Sequence, residues 1–448
     1  MKLKHSLILG LAILSMGCKK FLEEKPNGKL VVPNTVASMQ SLLDNHNLLN
    51  QKEVNVPVTT CDDFQMTTAN WLSLNQYVRN LHIWSRNNAF EPGNGGIWAT
   101  LYGRIYQANV VLDDMDKVKD REENLNEWQN VKGQALFLRA RTYFDLLQYW
   151  AKPYDSQTAA TDLGVPLRLD ANFNTPSVRA TLAKSYQQML ADLIQSAKLL
   201  PNSPLHPIRP SKPAAYAFLA RAYLVMQQVD SALHYTNLAL KLKSNLMDYN
   251  GGEGVVNAAN NAFVRFNPEV IFDTYLPYPS ALQKGDIDPL LYASYHSNDL
   301  RRTMYHRSAT AVGVFRGSYA GYGFLFNGVA TDELYLMKAE CLARKGDLGE
   351  AINTLNTLLV KRFKTGTYVP YVVTSAQEVL AIVLQERRKE LVFRGWRWMD
   401  VRRLNKMGAN ITMRRNLDGK EYVLEPNSAN YALPIPEDII SMTGMPQN

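Results

Sequence analysis

Three cysteines in 448 residues are too few for a disulfide framework. They stand at Cys18, Cys61 and Cys341, and no spacing ties Cys61 to Cys341. Cys341 lies within Ala339-Glu-Cys-Leu-Ala343, a small-residue helix face where a buried free thiol is commonplace. Beyond the first twenty residues no stretch approaches eighteen consecutive apolar residues, which excludes a spanning helix in the body of the chain. Catalytic and cofactor signatures are equally scarce. There is no H-E-x-x-H, no G-x-S-x-G, no Walker loop and no dinucleotide-type glycine fingerprint. The seven histidines are scattered; the nearest pair, His296 and His306, is ten residues apart and cannot clasp a metal from one helix. Adjacent acids occur at Asp62-Asp63, Asp113-Asp114 and Glu122-Glu123, but glycosidase carboxylates are brought together by the fold, so adjacency is no signal of one. Asp286 and Asp288 supply two carboxylates where calcium wants six or more oxygens, so a structural calcium is unsupported and no cofactor is expected.

A concentrated basic stripe is also missing. Net charge is +8 and the pI is near 9.1. The densest run, Glu386 to Arg403, holds seven Lys/Arg and three acids and is interrupted by Phe393, Trp396 and Trp398. Glu390 and Arg394 stand four apart in the favourable orientation for a helical ion pair. The run therefore reads as a packed, salt-bridged helix, and nucleic acid is excluded as a partner. Hydrophobic residues at 46% and charged residues at 20% describe a globular chain.

What is present begins at the N-terminus. Lys2 and Lys4, an apolar run from Leu7 to Leu14, and Ser15-Met16-Gly17-Cys18 form a secretory signal with a cysteine just past its cleavage site. Residues 1–17 are read as the signal peptide and Cys18 as the lipidated first residue of the mature protein. Several acyl chains on one residue anchor firmly without a spanning helix, at roughly 0.8 kcal/mol per buried methylene. Residues 18–35 are a lipidated leader, and 36–448 one domain.

Within that domain a helical pair repeats. Ala220–Leu233 aligns without a gap on Ala339–Ile352: an Ala-rich helix, a polar turn, then a second helix opening on an apolar residue and Ala232 or Ala351. Small residues beside the turn let two helices approach closely, in the manner of tetratricopeptide repeats. Lys345-Gly346-Asp347 provides a C-terminal glycine and an N-capping aspartate. Val131–Trp150 reads as a long helix with an apolar stripe at Leu136, Tyr143, Leu147 and Trp150, onto which Leu182–Leu200 packs back. The expected fold is mainly α, a tetratricopeptide-like scaffold of helical hairpins with long irregular insertions and a few short strands.

The insertions run from about 57 to 98 and from about 250 to 327. Long irregular stretches inside compact domains are usually functional. Both are rich in aromatics: Trp71, Tyr77 and Trp84 in the first, and Tyr275, Tyr278, Tyr292, Tyr295, Tyr305, Tyr319 and Tyr322 in the second. Sugar rings dock C–H faces on such planes while Asn70, Asn75, Arg79 and Asp273 offer polar partners nearby. Trp71, Tyr77, Trp84, Tyr275, Tyr278 and Tyr295 are the ligand-binding candidates. Phe315–Tyr319 and Gly321–Phe324 alternate like short strands or a hairpin, and Tyr431–Pro436 is extended by its prolines.

Taken together, these blocks resemble the SusD/RagB family of surface-exposed nutrient-binding lipoproteins over nearly the full length. Cys18-Lys-Lys-Phe-Leu-Glu-Glu-Lys-Pro26 is similar to the lipidated start, Trp98–Asn109 to the first helical block, and Gln134–Tyr149 with Gly164-Val-Pro-Leu167 to the most recognisable helix and its following turn. Glu386–Arg403 resembles the C-terminal signature, and Leu433-Pro-Ile-Pro436 the closing segment. Arg394 departs from the family, many members having an acid there, and Gly444–Asn448 follows the usual tail loosely. The resemblance implies a lipid-anchored outer-membrane protein facing the cell exterior. In this role it captures oligosaccharides as the lid of a SusC-like TonB-dependent transporter and breaks no bond. The same role for peptides or another polymer is the alternative; a helical glycosidase and a pure protein-binding scaffold rank lower. The basic balance favours acidic ligands such as uronic-acid glycans.

Overall fold

The computed structural model describes residues 33–51, 54–93, 96–307, 315–321 and 323–448; the signal segment, Cys18 and Tyr322 lie outside them. Ten helices carry the scaffold: α1 (Val36–Leu43), α2 (Gly96–Asp114), α3 (Leu125–Trp150), α4 (Leu182–Leu199), α5 (Lys212–Val225), α6 (Val229–Leu242), α7 (Thr331–Lys345), α8 (Leu348–Leu359), α9 (Ala376–Glu390) and α10 (Trp396–Lys406). Eight of them pack in a continuous row, α2 on α3, α3 on α4, α4 on α5, α5 on α6, α6 on α7, and α7 on both α8 and α9, while α1 packs on α2 and α3 and α10 on α5. The repeat read in the sequence is α5–α6 and α7–α8. Ala232 and Ala351 are fully buried at the hairpin contacts, Gly346 adopts φ +86° to end α7, and the Asp347 side chain accepts the Glu350 amide to start α8.

The long helix α3 lies at the centre. Every residue from Gly133 to Trp150 is buried, not only the expected stripe, because neighbours cover it on all sides. Its polar groups are matched accordingly. Arg139 makes a two-pronged ion pair with Asp192 of α4 at 2.7 and 2.8 Å and donates to Asn109 of α2 at 2.9 Å. Phe137 meets Phe218 and Phe272 edge-to-face at 5.1 and 5.0 Å, contacts of about 0.5–1.5 kcal/mol each beyond simple burial.

The insertions form a second core. Val58, Phe64, Trp71, Phe263, Tyr275, Tyr295, Tyr305, Tyr319 and Phe326 pack with Phe393 into a cluster separate from the scaffold's. Short strands stitch it: Phe64–Gln65 pairs antiparallel with Asp286–Ile287, so the two insertions join each other, and Tyr275–Pro277 pairs with Phe324–Phe326. Phe324 alone of the expected 315–324 hairpin begins a strand; Phe315 makes only an isolated bridge to His306. Met413–Leu417 and Lys420–Leu424 form a hairpin around Asp418-Gly419, both at positive φ as a tight two-residue turn requires.

A buried ionic network fastens the second core to the scaffold. Arg301, fully buried, donates to Asp299 at 2.7 Å, to Glu386 at 2.5 Å and to Glu390 at 2.9 Å. Arg362 joins Glu390 at 2.7 Å to Glu269 at 2.8 Å. Burial pushes the Glu269 carboxyl up to about 7, opposed by Arg362 and reinforced by Asp332 and Glu390. The expected Glu390–Arg394 helical pair does not form. Helix α9 ends at Glu390, Phe393 and Gly395 break the chain at φ +58° and +85°, and Arg394 pairs with Asp332 of α7 at 2.8 Å instead. The rest of the basic run also turns inward: Arg387 to Asp400, Arg388 to Asp63, Lys389 to Glu386, Arg397 to Asp62 and Arg403 to Glu340, all at 2.5–2.8 Å. Arg402 donates to the carbonyls of Gln148 and Ala151.

Candidate binding groove

Five of the six aromatic candidates have their rings or hydroxyls engaged by the protein itself. Trp84 is 2% exposed, its indole N–H donating to the Thr60 carbonyl at 2.9 Å beneath the Arg415 guanidinium. Trp71 donates to the Arg79 carbonyl at 3.3 Å and packs on Tyr422. Tyr295 is buried with its hydroxyl on the Lys389 carbonyl at 2.8 Å. Tyr275 is buried between Arg265 and Phe324. Tyr278 is partly exposed, but its hydroxyl accepts the Phe315 amide at 3.0 Å, and burial pushes that hydroxyl up to about 12. Trp84 packs into the scaffold core, and for the other four the physical reason is shared. Insertions with little regular helix cannot bury apolar area by periodicity, so they build their core from large rings. The proposed polar partners are similarly occupied: Asn70 donates to the Lys284 carbonyl, Arg79 lies over Trp71, and Asp273 pairs with Arg265.

Tyr77 is the exception. It stands on the helix Gln76–His82, which Asn75 caps by accepting the Tyr77 amide at 2.9 Å, and it faces a cavity of about 370 Å³ where the two insertions meet. Asn55, Thr59 and Asn75 line it from the first insertion, Pro279 and Ser280 from the second, and Phe90 and Glu91 close one side. The Phe90 ring is partly exposed and backed by Trp150 at 5.8 Å, which ties the groove to the scaffold's central helix. A second cavity of about 220 Å³ abuts the first, sharing Ala89, Phe90 and Pro436 with it and running on to Arg86, Asn88, Glu437 and Gln447. Asp438 pins the shared wall by accepting the Gly93 amide at 3.2 Å. The arrangement can hold a flat-faced, hydroxylated chain: ring surface at Tyr77 and Phe90, amides and hydroxyls around them, and length across both cavities. Phe90 was legible only as part of an aromatic insertion, with no local pattern in Phe90-Glu-Pro-Gly93 to single it out.

Two other cavities are less apt. One of about 270 Å³ is lined by Arg387, Arg388 and Arg397, each already ion-paired to an aspartate. Another of about 370 Å³ beside Met66 and Arg414 has for rings only Phe64, 2% exposed, and His82. His82 is buried and held neutral by burial and by Arg415: its Nδ1 lies 3.0 Å from the Thr59 carbonyl and its Nε2 2.8 Å from the Arg415 guanidinium. No cluster of three or more His, Cys, Asp or Glu that could hold a metal occurs among the described residues, and Asp288 is used to cap the helix Pro289–Ala293. Cys61 and Cys341 are both free and buried, and burial pushes the Cys341 thiol up to about 12. No helix among the described residues is long and apolar enough to cross a membrane.

Two family models match: one described as starch-binding and associating with the outer membrane, over residues 20–224, and the SusD family model over residues 332–448. The chain belongs to the SusD family. A SusD-like protein P2 from Formosa agariphila is 23% identical over 418 residues, spanning 78% of this chain and 79% of the relative. A crystal structure of a SusD superfamily protein from Bacteroides vulgatus superimposes with a TM-score of 0.74 at 21% identity, covering 93% of this chain and 99% of that one. A SusD-like carbohydrate binding protein from the same organism gives 0.65 at 19% identity, covering 89% and 94%. These likenesses bear out the helical SusD-like fold.

Proposed function

We propose that this protein captures oligosaccharides at the cell surface and delivers them to a SusC-like TonB-dependent transporter, over which it acts as a lid. The observation that carries the reading is the groove at the seam of the two insertions. Its Tyr77 and Phe90 rings are ringed by Asn55, Asn75 and Ser280 on a SusD-family scaffold. Aromatic planes bind the C–H faces of sugar rings, and the amides and hydroxyls meet their hydroxyl groups. A relative described as a SusD-like carbohydrate binding protein, and a family model described as starch-binding, support the ligand class. Acylated Cys18 would hold the protein on the outer membrane facing outward, and the leader over 18–35 would give the lid its reach. The ligand leaves the groove chemically unchanged.

The test is affinity electrophoresis of residues 19–448 through gels containing different polysaccharides, with released reducing ends assayed on the same samples. Retardation without release is the expected result. Release of reducing ends would make the protein a glycosidase, and no retardation by any glycan would turn the reading to peptides.

A further inference from the structure

Resting on the glycan-capture reading, we infer that the groove selects uncharged oligosaccharides and rejects acidic ones. This reverses the expectation drawn from the net charge of +8. The charge that counts is the charge facing the ligand. Glu91 lines the larger cavity, and no Lys or Arg does so among its described lining residues. Glu437 and Asp438 line the abutting one, where the sole described cation is Arg86. Arg86 already donates to the main-chain oxygens of Ala429 and Asn448. The basic run that dominates the composition is paired elsewhere, with Asp62, Asp63, Asp332, Glu340 and Asp400.

A uronate or sulfate in this groove would therefore give up its hydration beside three carboxylates, Glu91, Glu437 and Asp438, with Arg86 as the single described cation to set against them. Repulsion of this kind is an efficient means of discrimination, because it penalises the wrong ligand without demanding new contacts to the right one. A neutral chain meets no such penalty: the acids accept hydrogen bonds from its hydroxyls, and the two cavities on either side of Phe90 give room for more than one sugar unit.

The test uses residues 19–448 and matched pairs of polymers: amylose, pullulan, xyloglucan and galactomannan, each alongside its own form oxidised to the C6 carboxylate. Affinity electrophoresis should show at least one neutral member retarding the protein and its oxidised partner binding at least tenfold more weakly. In a Glu91→Gln/Glu437→Gln variant the ratio of the two affinities should fall at least threefold. Raising the salt concentration should narrow the gap in the wild type more than in the variant. Oxidised polymers binding as well as or better than neutral ones would overturn the inference while leaving glycan capture standing. An unchanged ratio in the double variant would overturn it as well, since the selection would then arise outside this groove. Retardation by neither member of any pair, in a protein whose melting shows it folded, would remove the glycan reading and the inference with it.

Discussion

Replacing Arg301 by methionine tests whether the aromatic insertions are held to the scaffold by buried charge. Arg301 is fully buried and donates to three carboxylates, those of Asp299, Glu386 and Glu390. Without it, Glu390 keeps Arg362 and Glu386 keeps Lys389, but Asp299 retains only Lys389 at 3.6 Å as a cation, beside the main-chain amide of residue 301 at 3.0 Å. At least one carboxylate is left without adequate compensation in a dry site. Removing one member of such a buried group costs about 3–5 kcal/mol. Unfolding entropy of about 2.1 cal/mol/K per residue makes each kcal/mol worth close to 1 °C for a chain of this size, so the melting temperature should fall by about 3–6 °C. Differential scanning calorimetry of residues 19–448 at pH 7.5 reads this directly. Arg414→Gln is the control: its pair with Glu421 is half exposed on both sides and should move the midpoint by less than about 1 °C. If Arg301→Met melts within 1 °C of the wild type, the network does not anchor the insertions and the reasoning fails.

Three further outcomes follow from the same geometry. His306 is buried among Tyr295, Tyr305, Phe315 and Phe393, and burial pushes its imidazole down to about 3. Below pH 6.5 the unfolded chain takes up a proton that the folded one refuses, so stability is lost as pH falls from 6.5 toward 3, by roughly 3 kcal/mol at pH 4.5. His306→Phe should accordingly show a smaller drop in melting temperature between pH 7 and pH 4.5 than the wild type; equal drops would contradict the assignment. A Cβ on Gly328 would lie 2.1 Å from the Phe272 carbonyl oxygen, so Gly328→Ala should lose about 1–3 kcal/mol in a urea titration, whereas Gly349→Ala, with open space in α8, should lose nothing. Trp84→Phe should lower the melting temperature yet leave polysaccharide retardation unchanged, because its ring is enclosed by protein; loss of retardation in a folded variant would return Trp84 to the site.

The scaffold was legible because its signals are local. Ala-rich hairpins, the Gly346-Asp347 turn and the 3.6-residue periodicity each depend on neighbours a few residues away, and the structure keeps them. The insertions were legible as places but not as arrangements. Their strands pair residue 64 with 287 and 275 with 326, separations that no local pattern encodes. For the same reason the aromatic count marked two ring-rich insertions without distinguishing the rings that are buried from those that are exposed. Whether a tyrosine lines a groove or a core depends on what folds over it, and Trp71, Trp84, Tyr275 and Tyr295 are covered by segments distant in sequence. Asn75 and Tyr77 emerged at the groove, while Phe90 and Glu91 were hidden in a turn with no periodicity to mark it. At Glu390 and Arg394, a four-residue spacing read as a helical pair was overridden by a helix end at Glu390.

The most direct test of glycan capture at the seam of the insertions is isothermal titration of the wild type and Tyr77→Ala with a soluble oligosaccharide of whichever polysaccharide retards the protein. Tyr77 offers the groove its partly exposed ring and belongs to neither core cluster among the described residues. The account predicts at least a tenfold loss of affinity with the melting temperature unchanged. Equal affinity in the two proteins would contradict it and move the binding site elsewhere on the molecule.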